Sequence, residues 1–213
     1  ELYKKAYTPW EWQEELRDYA NELEIDFFSS PFDLTAVDFL EGLEVPAYKV
    51  ASFEINDIPF IRKIARTQKP IIISTGIAHI EDIDLALRTC KEEKNDNVIL
   101  LKCISSYPAP YENMNLNVIP NMQQTFDCVC GLSDHSMGTE IPVAAVALGA
   151  RVIEKHFTLS RQDGGEDSLF SMEPQEFNEM VKQIRNVEKP IYCWNAFLNI
   201  FERSVSFDSN LTV

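Results

Sequence analysis

The sequence predicts an α/β protein whose strands run parallel, on three observations. Short runs rich in Val, Ile and Leu recur without clean alternation, at 25–30 (IDFFSS), 46–52 (PAYKVAS), 70–75 (PIIIST), 97–104 (NVILLKCI), 126–133 (FDCVCGLS) and 150–157 (ARVIEKHF). Strands covered on both faces read this way. Amphipathic helical patterns lie between the runs, whose starts are roughly 21 to 29 residues apart, room for a strand and its crossover helix. Polar side chains also gather at the C-terminal end of nearly every run: Ser29 and Ser30, Ser52 with Glu54, Ser74 and Thr75, Ser105 and Ser106, Ser133 with Asp134 and His135, and Glu154 with His156.

The chain opens with a helix. Thr8 suits an N-cap, Pro9 the first helical position, and Glu11 completes a capping box; the pattern runs to about Leu23. The first strand-like run follows. Helical patterns at 33–43, 56–67, 79–93, 114–124 and 138–149 then alternate with the other runs, and a last one at 174–188 follows the sixth. Regular βα repetition allows an open doubly wound sheet or a closed (β/α)8 barrel. No GxGxxG or GxxxxGK[ST] follows a run, which removes the nucleotide fingerprints of the open sheet. An open sheet gathers its site at one switch point, whereas a barrel draws on nearly all its strand ends. The spread of polar strand ends therefore favours a (β/α)8 barrel, incomplete, with about six βα units and the first two strands missing. No strand precedes the first helix, so the missing pair is expected ahead of residue 1. Residues 1–188 are expected to form this partial barrel and 189–213 an irregular, aromatic-rich tail.

Hydrophobic residues make up 45% of the 213 and charged ones 25%, ordinary for a soluble globular protein. A formal charge of −15 argues against nucleic acid, which needs clustered Lys and Arg, and against an anionic membrane surface. A small anionic substrate stays compatible, because a local site can be positive on an acidic protein. No apolar run reaches the ~20 residues that span a bilayer, and the charged N-terminus is not a signal peptide. The expected location is the cytoplasm. The five cysteines, Cys90, Cys103, Cys128, Cys130 and Cys193, form no CxxC pair and read as reduced thiols. Cys128 and Cys130, two apart, point to one face of a strand.

Lys49 lies in a strand otherwise made of Val, Ala and Tyr, where an inward ammonium is costly without a negative partner. Ser52, Ser74, Ser105 and Ser133 end four consecutive strands. Hydroxyls in one ring with one ammonium make a cradle for a phosphate or carboxylate. His135 and His156 end adjacent strands, with Asp134 and Glu154 beside them, and suit a divalent ion that polarises a carbonyl. Mn²⁺, Mg²⁺, Co²⁺ and Zn²⁺ suit such a pair about equally on composition. His79, at a helix start, reads as a surface residue. In the polar loop 158–174, Gly164 and Gly165 permit a tight bend that hangs Asp167, Ser168, Phe170 and Ser171 over the barrel mouth. An aromatic among hydroxyls and carboxylates suits a sugar.

YKVASFE (48–54), IIISTG (71–76), SSYPAP (105–110), GLSDHSMG (131–138) and ALGARVIEKHFTL (147–159) resemble the sialic acid synthase family, over about residues 8–188. The resemblance implies condensation of phosphoenolpyruvate with the open-chain aldehyde of an N-acylated amino sugar, giving a nonulosonic acid and phosphate. GGEDSLFS (164–171) and the opening YTPWEWQ are most similar to the pseudaminic acid branch, which implies a 2,4-diacetamido-2,4,6-trideoxy hexose. By the same resemblance Lys49, Ser52, Ser74 and Ser133 bind phosphoenolpyruvate, and His135 and His156 ligate the metal. Tyr107 and Asp167 face the sugar. Glu54 and Glu154 line the pocket, where either can move a proton. Ser105 stands where many members have Asn.

The family's first two strands, which supply an acidic residue and a Lys or Gln, have no counterpart here. Neither has its small C-terminal antifreeze-like domain, which reaches into the partner's site in family homodimers. A truncated member is therefore expected, with open barrel edges, poor stability and little activity alone. The alternatives are an N-acetylneuraminate or legionaminate synthase, another phosphoenolpyruvate-dependent barrel aldolase or synthase, and a non-enzymatic fragment that only associates with a partner chain.

Overall fold

The computed structural model of the protein describes residues 8–192. The chain divides into two compact units, Glu1–Leu101 and Lys102–Val213. Their elements follow the expected βα alternation.

The first unit contains α1 (Trp10–Glu22), α2 (Leu34–Gly42), β1 (Tyr48–Val50), α3 (Ile58–Arg66), β2 (Ile71–Ser74) and α4 (Ile80–Glu92). It also holds most of β3 (Val98–Cys103), the strand on which the chain passes into the second unit. The side chain of Asp33 caps α2 by accepting from the Thr35 and Ala36 amides at 2.7 and 2.9 Å. Asp57 caps α3 through the Phe60 amide at 3.1 Å. On α3, Phe60, Ile61, Ile64 and Ala65 recur with helical period and are all buried. Strands β1 and β2 pair in parallel, Lys49 opposite Ile72, and β2 pairs with β3, Ser74 opposite Leu101. Tyr48, Val50, Ile71, Ile73 and Leu100 point to one face and are fully buried, which fixes the register against a one-residue slip.

The second unit contains α5 (Val118–Phe126), β4 (Val129–Asp134), α6 (Glu140–Ala147), β5 (Ile153–Lys155) and α7 (Pro174–Tyr192). Strands β4 and β5 are parallel, with Leu132 opposite Ile153, Ser133 opposite Glu154 and Asp134 opposite Lys155. Helices α6 and α7 pack together, and α5 and α6 both lie on β4.

Four expectations change. Residues 25–30 are not a strand: the chain there is irregular and carries no ladder, and extended backbone becomes a strand only where a neighbour pairs with it. Thr8 does not cap; α1 starts at Trp10 behind Pro9 with no side-chain cap bond. Phe126 closes α5 rather than opening a strand, and Asp127, at φ 48°, makes the left-handed turn between them. The chain from 189 is helical as far as Tyr192, with Pro190 inside α7; the rest of the expected tail, Cys193 included, lies outside the described residues.

Candidate functional site

In the first unit, Lys49 Nζ donates to Ser74 Oγ at 2.8 Å and to its neighbour Val50 O at 3.0 Å. Lys49 is 8% exposed and Ser74 3%. The alternation of side chains explains the meeting: Lys49 faces the same way as Ile72, its partner in the register, and Ser74 is two residues further on. Ser52 is not on the strand but opens the 3-10 turn Ser52–Glu54, where its Oγ accepts from the Ile77 amide at 2.8 Å. Glu54 is placed by the same turn. Burial raises its carboxyl above the ordinary range, and the positive charge of Lys49 only partly opposes this. Its Oε2 is buried without a hydrogen-bond partner, a costly state that a polar ligand would relieve.

In the second unit the alternation along β4 and β5 sorts the polar strand ends into two sets. Asp134 and Lys155 share one face. Their side chains form an ion pair of 2.6 Å, 0% and 1% exposed. Asp134 Oδ1 also accepts from the Ser136 amide at 2.8 Å, and Lys155 Nζ donates to the Ser136 carbonyl. The backbone on both sides of His135 is thereby clamped. On the opposite face Ser133 Oγ donates to Glu154 Oε1 at 2.6 Å. One residue beyond each strand come His135 and His156, ring centroids 5.1 Å apart. His135 Nδ1 lies 2.8 Å from the carbonyl oxygen of Ile104. A carbonyl only accepts, so Nδ1 bears a hydrogen, and in the neutral ring Nε2 carries the lone pair. The amide of Ala109 donates to His135 O at 2.9 Å and ties the loop after β3 to the same residue. Burial, then the neighbouring His135, lowers the basicity of His156, while Asp167, 3.5 Å from its Nδ1, acts in the other direction.

Tyr107 and Phe170 complete this group. Tyr107 lies 4.3 Å from His135 and 5.5 Å from Phe170, and Phe170 4.9 Å from His156, centroid to centroid. The bend at Gly164 and Gly165, φ 78° and 109°, carries the loop as its glycines suggest. Phe170 and Ser171, however, do not hang free: both are buried, and Ser171 Oγ donates to Asp167 O at 2.8 Å. Ser105 Oγ is buried without a partner, as a substrate-facing hydroxyl would be. His79 is exposed at the start of α4, its amide donating to Asp82.

Two imidazoles side by side at strand ends are a donor set that would fit a divalent ion. Among the described residues no cluster of three or more His, Cys, Asp and Glu is poised for an ion, which fits a closed structural site poorly. Asp134 is not a third ligand: the structure commits it to Lys155. Sequence reasoning passes over Lys155. Its signal is the matching offset of DH in SDH and KH in EKH, legible only once the register sets Asp134 opposite Lys155. It passes over Lys102 too, buried at the end of β3 with Nζ on Cys103 O at 2.9 Å and its basicity lowered by burial.

Parallel βα units thus place a buried ammonium with hydroxyls in the first unit, and paired imidazoles among aromatics in the second. Residues 1–193 match the sequence model of the NeuB family, and the chain belongs to that family. It is 48% identical over 191 residues to a pseudaminic acid synthase of Campylobacter jejuni, covering 90% of this chain and 56% of that one. It is 44% identical over 177 residues to an N,N'-diacetyllegionaminic acid synthase of the same organism, covering 82% and 53%. The crystal structure of an N-acetylneuraminic acid synthetase from Leptospira borgpetersenii in complex with citrate superposes with a TM-score of 0.86 at 31% identity, over 95% of this chain and 75% of that one. The chain thus spans about half the length of the two synthases from Campylobacter.

Proposed function

We propose that the protein condenses phosphoenolpyruvate with an N-acylated amino sugar, a 2,4-diacetamido-2,4,6-trideoxy hexose, to a nonulosonic acid such as pseudaminic acid, releasing phosphate. Family membership supports it, and one structural observation carries it: His135 and His156, held side by side at adjacent strand ends between Tyr107 and Phe170. In this reading the five βα units belong to an incomplete (β/α)8 barrel. Free thiols at Cys90, Cys103, Cys128 and Cys130 suit a reducing cytoplasm. No described helix is long and apolar enough to cross a membrane. A homodimer is the assembly the resemblance implies; sedimentation equilibrium decides it.

Lys49, with Ser74 and Ser52, binds the phosphate dianion by charge-assisted hydrogen bonds. His135 and His156 would hold a divalent ion, Mn²⁺ or Mg²⁺ before Co²⁺ or Zn²⁺, which would supply Lewis-acid polarisation of an aldehyde oxygen. Tyr107, Ser105, Asp167 and Phe170 take the sugar, and Ser133 the pyruvyl end. The enol carbon of phosphoenolpyruvate bonds to the aldehyde carbon, leaving positive charge at C2. Water adds there, and the C–O bond to phosphate breaks. Glu54, more easily protonated than an ordinary carboxylate, holds or returns a proton, with Glu154 as the second acid-base candidate.

The test is phosphate release from phosphoenolpyruvate with a panel of amino sugars, run with and without Mn²⁺ on wild type, Lys49→Ala and His135→Ala. Release with the trideoxy sugar, lost in both variants, is the expected result. Equal release from all three proteins would overturn the site. Release with the legionaminic precursor alone would move the protein to that branch.

A further inference from the structure

A second reactive centre lies at the other end of β4 from Ser133 and His135, and it belongs to no part of the site above. Cys128 and Cys130 point the same way, with Sγ atoms 3.9 Å apart. Cys130 is fully buried at the start of β4, whereas Cys128 is half-buried in the bend before the strand. One thiol therefore meets solvent and the other waits behind it. The Cys130 Sγ also lies 3.7 Å from the Cys128 carbonyl oxygen, so the two residues already fold towards each other.

The geometry points to a peroxide-reactive dithiol in which Cys128 is the attacking sulfur and Cys130 resolves it to a reversible disulfide. Two residues of extended strand separate their Cα atoms by about 6.6–6.8 Å, the upper edge of the ~4.4–6.8 Å a disulfide accepts. Cys128 has slack to come closer. It precedes the strand and follows Asp127, whose left-handed backbone at φ 48° already turns the chain. On the β5 side the first described ladder bond is Arg151 N to Cys130 O, at 2.9 Å, so Cys128 and Val129 are not pinned by that neighbour. The contact with the Cys130 side chain lowers the Cys128 thiol below its ordinary range, which favours the Cys128 thiolate, the nucleophilic form.

The chemistry balances with hydrogen peroxide as oxidant. The Cys128 thiolate attacks one peroxide oxygen, the O–O bond breaks, and hydroxide leaves and is protonated to water. The resulting sulfenic acid is attacked at sulfur by Cys130, which loses its proton as the S–O bond breaks and a second water departs. Two thiols lose two electrons to the peroxide, and one S–S bond forms. A bond so close to the upper limit of reach is expected to be readily reducible.

Cleavage before aspartates isolates the pair, because residues 127–133 (DCVCGLS) contain these two cysteines and no other. The full chain is treated with one equivalent of hydrogen peroxide, alkylated, digested and weighed. The expected peptide is lighter than the dithiol form by two hydrogen atoms, takes up no alkylating agent, and recovers both thiols with dithiothreitol. Cys128→Ser should abolish the reaction, leaving Cys130 unoxidised. Cys130→Ser should leave a Cys128 sulfenic acid that dimedone traps, which keeps the assignment testable if either variant folds poorly. A wild-type peptide still doubly alkylated, one carrying a sulfinic acid at Cys128, or one linked to a different cysteine would overturn the proposal.

Discussion

At the scale of single residues, the sharpest contrast is between the two faces of the β4 and β5 ends. Ser133, Glu154 and the histidines offer chemistry; Asp134 and Lys155, on the other face, offer only each other and Ser136. A buried ion pair gains little over an apolar pair but is costly to break. Lys155→Met should therefore destabilise by about 3–5 kcal/mol, because it strands the Asp134 carboxylate, while Asp134→Leu with Lys155→Met should cost much less. Urea denaturation measures both; a single variant as stable as the double would show that the pair holds nothing. Metal affinity should fall in both, since Lys155 is a positioning residue for the peptide on either side of His135.

Glu54 gives a pH signature whose sign is fixed. Its folded carboxyl binds its proton more tightly than in the unfolded chain, where the ordinary value is 4.5. Stability from this group is complete below that value and is lost as pH rises through the folded one. Glu54→Gln removes the loss, so its melting temperature should gain on wild type between pH 4 and pH 7. A difference that stays constant with pH would mean that Glu54 is not strained by burial.

At the scale of elements, α2 and α3 are each held by an aspartate cap and by buried apolar side chains. Asp33 offers its carboxylate to two amides of α2, and burial plays almost no part there. Asp33→Ala should cost about 1 kcal/mol. Ile64, fully buried on α3, should cost about 2–5 kcal/mol as Ile64→Ala, through lost burial and the cavity left behind. Thermal unfolding separates the two: an Asp33 variant as damaging as the Ile64 one would show that the cap of α2 weighs as much as core burial on α3. The run at 25–30 shows the reverse dependence. Its composition suits a strand, yet it has no pairing partner among the described residues, and Ile25 and Phe28 remain partly exposed.

For the whole molecule, a formal charge of −15 sets the background. Self-repulsion of that size is screened by salt, so the melting temperature should rise between low and physiological ionic strength. Under the proposed function a divalent ion also binds at His135 and His156. Mn²⁺ at a hundred times its dissociation constant should stabilise the wild type by about 2.7 kcal/mol by mass action alone. His135→Ala should lose that increment and keep the salt response. A variant that keeps both would put the ion elsewhere.

Much of this was legible in the chain itself. The βα spacing, the apolar runs and the polar strand ends determined an α/β protein with parallel strands, because periodicity and burial are local properties of a segment. That Lys49 would lie with Ser74, and His135 beside His156, followed from the same strand ends, and alternation settled that Cys128 and Cys130 share a face. Only the tertiary structure decided which strand ends became strands, that 25–30 did not, and that Asp134 serves Lys155 rather than an ion. Those outcomes depend on which backbone lies alongside and in what register, and hydrogen-bond ladders and ion pairs form between residues some twenty positions apart that no local pattern connects.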